Sequence, residues 1–196
     1  MPKNDNPQAL RFLASMEEHG EREAGIRFSE ENPLSKSADA GKKTKWAKEL
    51  CVFLNDHYDD ETIKKIRMDC ACGPKYGYGG SKLKAVYDRN RDPNSFVEQA
   101  NALDLGFTLE YDGTAYYLIY PQCYCSCVNR TDDLLPRTWC YCTLGYNRRM
   151  FGYILDKEVR TELISSVKQG DVVCRIRITV PDKCMADGVP AEYYGD

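Results

Sequence analysis

The tripeptide Cys-Tyr-Cys occurs twice, as Cys123-Tyr124-Cys125 and as Cys140-Tyr141-Cys142. The first copy runs on to Cys127. A further thiol, Cys174, sits in an apolar alternating stretch, and Cys70 and Cys72 flank Ala71 in a Gly-rich region. The chain holds 10 Cys but only 2 His, so any metal centre must be thiolate-rich. Thiolates of that kind suit zinc or an iron–sulfur cluster, zinc being the simpler choice. The spacing restricts how they can bind. Sulfurs around tetrahedral zinc lie about 3.8 Å apart. Same-face side chains on a strand repeat at roughly twice that strand's ~3.3 Å rise. A Cys-X-Cys on a flat strand is therefore a poor chelate. Either the strand kinks, with Pro121 as the cause, or each segment supplies one thiolate. One ligand per segment is the expectation, drawn from Cys123, Cys125, Cys127, Cys140, Cys142 and Cys174, with Cys70 and Cys72 as a second contribution. The competing reading makes each of these cysteines a small buried hydrophobe. Cys51 and Cys184 read as bystanders.

The elements that must position these thiols can be read from periodicity. Helical spacing covers residues 7–20, 44–57, 60–67, 81–89 and 92–103. Asp59 or Asp60 can cap one of these helices, and Asp92-Pro93 opens another. Residues 32–43 are rich in Ser, Ala, Gly, Asp and Lys and read as a linker. Two parts are therefore expected, an N-terminal helix with linker at 1–43 and a compact domain at 44–196. After Gly106 the period changes to two. A strand at 107–111, the turn Asp112-Gly113 and a long return strand at 114–127 form a hairpin. On that return strand Cys123, Cys125 and Cys127 would share a face with Tyr117 and Ile119. A helix through Leu144, Arg148, Phe151 and Leu155 follows, then a second hairpin at 158–180. The fold class is α+β, with N-terminal helices, two antiparallel hairpins and an intervening helix, in the order αααββαββ.

Composition removes several functions. Lys+Arg is 27 and Asp+Glu is 30, a net charge of −3, without the basic surplus of a nucleic-acid binder. No apolar run approaches the ~20 residues of a membrane span. The polar start, Met1-Pro2-Lys3-Asn4, lacks a signal peptide's apolar segment. A cytoplasmic protein is expected, where thiols stay reduced. The Tyr76-Gly77-Tyr78-Gly79-Gly80 loop has no following Lys-Ser/Thr and is no phosphate loop.

The stretch 139–180, beginning Trp139-Cys140-Tyr141-Cys142 and ending in the Cys174 strand, resembles the end of the vinyl-reductase-type domain. That family includes the sensor domains of phenol-responsive bacterial regulators. Its fold is shared by haem nitric-oxide sensors and transport-particle subunits. The ending also resembles the family named for thiazoline-carboxylate hydrolase. Cys140, Gly145-Tyr146, Gly170 and Cys174 occupy the places of the phenol sensors' Cys, Gly-Tyr helix, glycine turn and final Cys. The resemblance implies zinc ligation by Cys140 and Cys174. The family's other two ligands, a Glu and a Cys, fall at Leu163 and Ser166, which cannot serve. Thiols from 123–127 and Cys142 are the replacements expected. The resemblance also implies a pocket for a small apolar or aromatic molecule, lined by Tyr117, Tyr120, Tyr146, Phe151 and Tyr153, and pairing into a homodimer. Gly145 and Gly152 share a helix face and would let the helix approach the sheet or a ligand.

Three functions follow. The leading one is a small-molecule-binding, sensor-like domain with a cysteine-rich structural zinc site. The second is an enzyme, either a Cys-dependent hydrolase or a thiol or iron–sulfur redox protein. A nucleophilic Cys needs a base or a lowered pKa, and neither His19 nor His57 is marked for that task. The third is an interaction or assembly module.

Overall fold

The computed structural model describes residues 4–181. Six helices come first: α1 (Pro7–Glu18), α2 (Arg22–Glu31), α3 (Ala40–His57), α4 (Asp60–Asp69), α5 (Gly80–Arg89) and α6 (Pro93–Asn101). The hairpin β1 (Thr108–Tyr111) and β2 (Tyr116–Tyr120) follows, then α7 (Arg137–Leu155) and the pair β3 (Arg160–Ser165) and β4 (Cys174–Thr179). The α+β class is as expected. Helix α2 is an addition to the sequence reading, and α7 begins several residues earlier than the periodicity indicated.

The helix starts follow from their caps. Asn6, Asp39, Asp59 and Asp92 each accept a backbone N–H of the first turn, and Pro7 and Pro93 stand at the first helical position. Helix α7 has no side-chain cap. It starts early because Thr138, Trp139 and Tyr141 are buried, which tertiary packing supplies and local propensity does not.

The N-terminal helix is not displayed as an appendage. Phe12 and Met16 are fully buried, and the Ser15 hydroxyl donates to the Ile66 carbonyl at 2.7 Å. Phe12 packs edge-on against Phe28 and Trp46. The segment expected as a linker is tied down as well: Leu34 is buried, Asn6 N donates to Leu34 O, and the Trp46 indole donates to Asn32 O. Residues of α1 through β4 share one hydrophobic core.

The sheet runs β1-β2-β4-β3, antiparallel throughout. Leu109, Leu118, Leu163, Ile176 and Ile178 are buried under the helices. The other face carries Arg175 paired with Glu110 at 2.7 Å, and Arg175 also lies over the Tyr117 ring. Strand β2 ends at Tyr120, which pairs with Cys174. Pro121 follows and has no N–H for the ladder. The long return strand expected to 127 is therefore cut short, and Cys123, Cys125 and Cys127 lie in the loop beyond it.

Candidate functional site

Helix α7 divides the thiols. Residues two apart on a helix are about 200° apart around its axis. Cys140 therefore faces the turn after β3, where its sulfur meets the Ser166 hydroxyl at 3.1 Å. Cys142 faces α4 and donates to the Trp139 carbonyl at 3.6 Å. The remaining thiols form one continuous neighbourhood around α7: Cys174, Cys123 and Cys125 act electrostatically on Cys140, and Cys125, Cys140 and Cys72 act on Cys142.

Local structure fixes the members. Cys174 opens β4, and its sulfur accepts from Val167 N at 3.4 Å. Cys125 heads a short turn, its carbonyl accepting from Val128 N and Asn129 N. Burial pushes the Cys140 thiol up to about 12, although the Ser166 hydrogen bond opposes the rise. Burial likewise holds Cys142 well above the usual thiol range, against the pull of Arg67. Without a metal these thiols are protonated at neutral pH. Three cysteines stand apart from this neighbourhood. Cys127 is buried toward Lys43 O, Cys70 donates to Ile66 O, and Cys51 sits in α3. Cys184 lies outside the described residues.

The residue that the sequence did not single out is Arg67. It is fully buried. Its guanidinium donates to Thr138 O and to Trp139 O at 2.8 Å and lies over the Trp139 ring at 4.7 Å. Nη1 has no partner. Desolvation works against its charge, but Cys70, Cys142, Cys51 and Cys125 more than offset that and raise its pKa. The signal was present in the sequence: Arg67 falls four after Ile63 and three before Cys70, on the apolar face of α4.

The aromatic residues expected to line one pocket are dispersed. Tyr117 lies on the outer sheet face, bonded to Asp112 at 2.8 Å. Phe151 is core, packed against Tyr116. Tyr153 stacks on Tyr76 at 4.0 Å. Tyr120 and Tyr146 stay close to the thiols. The Tyr120 hydroxyl donates to Asn147 at 3.2 Å, while the Tyr146 hydroxyl accepts from Tyr78 N at 2.7 Å. An open cleft of about 410 Å³ lies elsewhere, between Glu31 and Glu49, with no thiol in its wall. His19 pairs with Asp69, and the Nδ1 of His57 is bonded to Phe53 O.

The chemistry of the donors fits a soft metal, while their present spacing does not yet hold one. Among the described residues no three Cys, His, Asp or Glu side chains stand together as a ready metal site. Leu163 is buried core and Ser166 offers a hydroxyl, so neither adds a thiolate.

The fold is thus that of an α+β domain with thiols gathered where β2, β4, α7 and the α4 terminus meet. The chain belongs to the family of unknown function DUF6144, whose model matches residues 15–185. No protein of curated function matches it. Among solved structures it is similar to a trafficking protein particle complex subunit 3 from Naegleria fowleri, covalently bound to palmitic acid. The identity is 16% and the TM-score 0.40, over 73% of this chain and 95% of that one. It is also similar to an H-NOX protein from S. oneidensis in the Fe(II)NO state, at 14% identity and a TM-score of 0.43, over 90% and 99% of the two chains. No helix among the described residues is long and apolar enough to cross a membrane.

Proposed function

We propose that the chain is a small-molecule-binding, sensor-like domain stabilised by a thiolate metal site, with zinc the simplest occupant. The observation that carries this reading is the placing of two thiols at one turn: Cys140 of α7 lies 3.1 Å from the Ser166 hydroxyl, and Cys174 of β4 accepts from the adjacent Val167 N at 3.4 Å. A closed thiolate site is a structural device and contributes directly to folding. Here it would pin the β2 loop to α7 and β4. Cys140 and Cys174 are held by regular elements, and Cys123 is the loop member that must move in. Burial raises the Cys123 thiol, and the charge of buried Lys168, whose ammonium rests on Thr131 O and Asp133 O, only partly opposes that rise. A small apolar or aromatic ligand would meet Tyr120 and Tyr146, the expected aromatic residues that stay near the thiols.

The test is elemental analysis of the dialysed protein beside its Cys140→Ser and Cys174→Ser variants. Bound zinc that falls in both variants supports the reading. Zinc content that neither variant changes refutes it.

A further inference from the structure

We propose that the loop between α4 and α5, residues 71–79, is a lid over a binding site for a planar aromatic ligand on α7, and that the Tyr76 ring fills that site in the closed form. This inference rests on the small-molecule reading above and says where the ligand sits. Tyr146, Met150 and Tyr153 recur at i, i+4 and i+7 and form one stripe along α7. The loop lies along that stripe. Tyr78 N donates to the Tyr146 hydroxyl at 2.7 Å. A Cβ on Gly73 would stand 3.0 Å from the Tyr146 ring. One on Gly77 would stand 2.5 Å from Met150 Sδ and 3.0 Å from the Tyr146 hydroxyl. Next to Gly77, the Tyr76 ring covers the end of the stripe, 4.0 Å from the Tyr153 ring with 18° between their planes. Aromatic pairs in proteins prefer offset or edge-on arrangements, and Tyr87 crosses Phe96 in that way at 80°. Tyr76 instead lies flat on Tyr153, as a planar ligand would.

The loop is also built to lift. Gly73, Gly77 and Gly79 have φ of 91°, 78° and 79°, the left-handed region that glycine enters freely. They bracket Tyr76 and Tyr78 and can serve as hinges. Helix α5 starts from Gly79 without a side-chain cap. Tyr76 is 38% and Tyr78 73% exposed, so opening gives up little buried surface. Opening frees one face of Tyr153, the Met150 thioether and the Tyr146 hydroxyl oxygen together. A planar bicyclic ring with one N–H donor answers all three. It stacks on Tyr153 in place of Tyr76, meets the sulfur at its edge, and donates to Tyr146 in place of Tyr78 N. Lys84 stands over the Tyr153 ring at 5.7 Å, and its charge is already met by Asp88 and Asp156. A cation beside the stack favours an electron-rich ring, and a charged substituent is not required.

The experiment is calorimetric titration of the full chain with indole, with N-methylindole as the ring that cannot donate. Tyr76→Ala should bind indole at least about tenfold more tightly than the unaltered chain, because apparent affinity scales with the fraction of open protein. Gly77→Ala keeps Tyr76 but strains the closed loop and crowds Met150, so it should tighten binding as well. Tyr153→Leu, made in the Tyr76→Ala chain, retains bulk and loses the stack, and should weaken indole by about 2–10-fold, the range of a stacked pair. N-methylindole should bind more weakly than indole. Equal indole affinity in the unaltered chain, Tyr76→Ala and Gly77→Ala overturns the proposal. So does an affinity that Tyr153→Leu leaves unchanged, which would put the ligand elsewhere and spare the small-molecule reading. Lid-dependent indole binding beside a zinc content that Cys140→Ser does not change would refute the metal site and leave this inference standing.

Discussion

Gly145 of α7 lies directly against the Met68 carbonyl of α4. A Cβ at Gly145 would overlap that oxygen and come within 2.7 Å of its carbon and 2.9 Å of the Met68 Cα. The obstacle is backbone, which cannot rotate away. This contact sets the separation of the two helices that carry Arg67 and Cys142, so a packing glycine also determines the distance between the guanidinium and the thiol.

Gly145→Ala is expected to destabilise the protein by about 3 kcal/mol, at the upper end of overpacking costs because the clash is with main chain. Gly41→Ala is the control. It lies in the first turn of α3, where an added Cβ meets only Asp39 Oδ1 at 3.4 Å. It should be neutral or slightly stabilising, as helix propensity favours Ala. Denaturant midpoints of the two variants measure the difference. Equal midpoints would contradict the close approach.

The buried ends of α1 lead to a second expectation. Phe12→Ala should cost about 3–5 kcal/mol, the range for a buried Phe, since Phe12 touches Phe28, Trp46 and Phe53. A chain beginning at Thr44 should fail to fold, because it leaves Ile66 and Trp46 without their covering helices. Circular dichroism and gel filtration of the truncated chain check this, and a monomeric, cooperatively melting product would count against it.

The buried thiols of Cys51 and Cys127 make metal-free stability depend on pH. Burial raises Cys51 to about 11 and Cys127 to about 12, from an ordinary 9.0. A raised folded pKa means that the unfolded chain loses its protons first. The contribution is complete below pH 9 and is lost as pH rises through 11 to 12. One pK unit is about 1.4 kcal/mol, so each thiol should lose about 1 kcal/mol of stability between pH 8 and 10. Urea melts at the two pH values measure the slope, and Cys51→Ala should reduce it.

Much of the frame was legible from local chemistry. The caps at Asp59 and Asp92 and the alternation of Ile176 and Ile178 depend on near neighbours in the sequence, and the structure agrees. The candidate site was legible in its residue types and less so in its grouping. Strand periodicity put Cys123, Cys125 and Cys127 on one face, but Pro121 ends the ladder first and the thiols separate. Helix α2 carries charge on most of its surface and buries only Gly25, Phe28 and Ser29, too weak a stripe to mark it. Arg67 lies on the apolar face of α4, but its partners come into view only when α7 is laid over it. Its role depends on a contact more than seventy residues away, with Trp139.

Ser166 offers the sharpest test of the proposed thiolate site at Cys140 and Cys174. Its hydroxyl meets Cys140 at 3.1 Å, and Val167 N beside it holds Cys174. Ser166→Cys should therefore add a thiolate to Cys123, Cys140 and Cys174 and complete a tetrahedral set. Zinc should bind at least about tenfold more tightly, on the scale by which shell changes move metal affinity. The metal-free variant should be less stable by about 1 kcal/mol, since Ser166 also caps the Val167–Gln169 turn through Lys168 N. Competition with a chromophoric chelator gives the affinity, and thermal melts with and without zinc give the stabilities. Tighter zinc binding with lower apo stability is the expected pair. An unchanged zinc affinity would show that Cys140 and Cys174 do not share an ion.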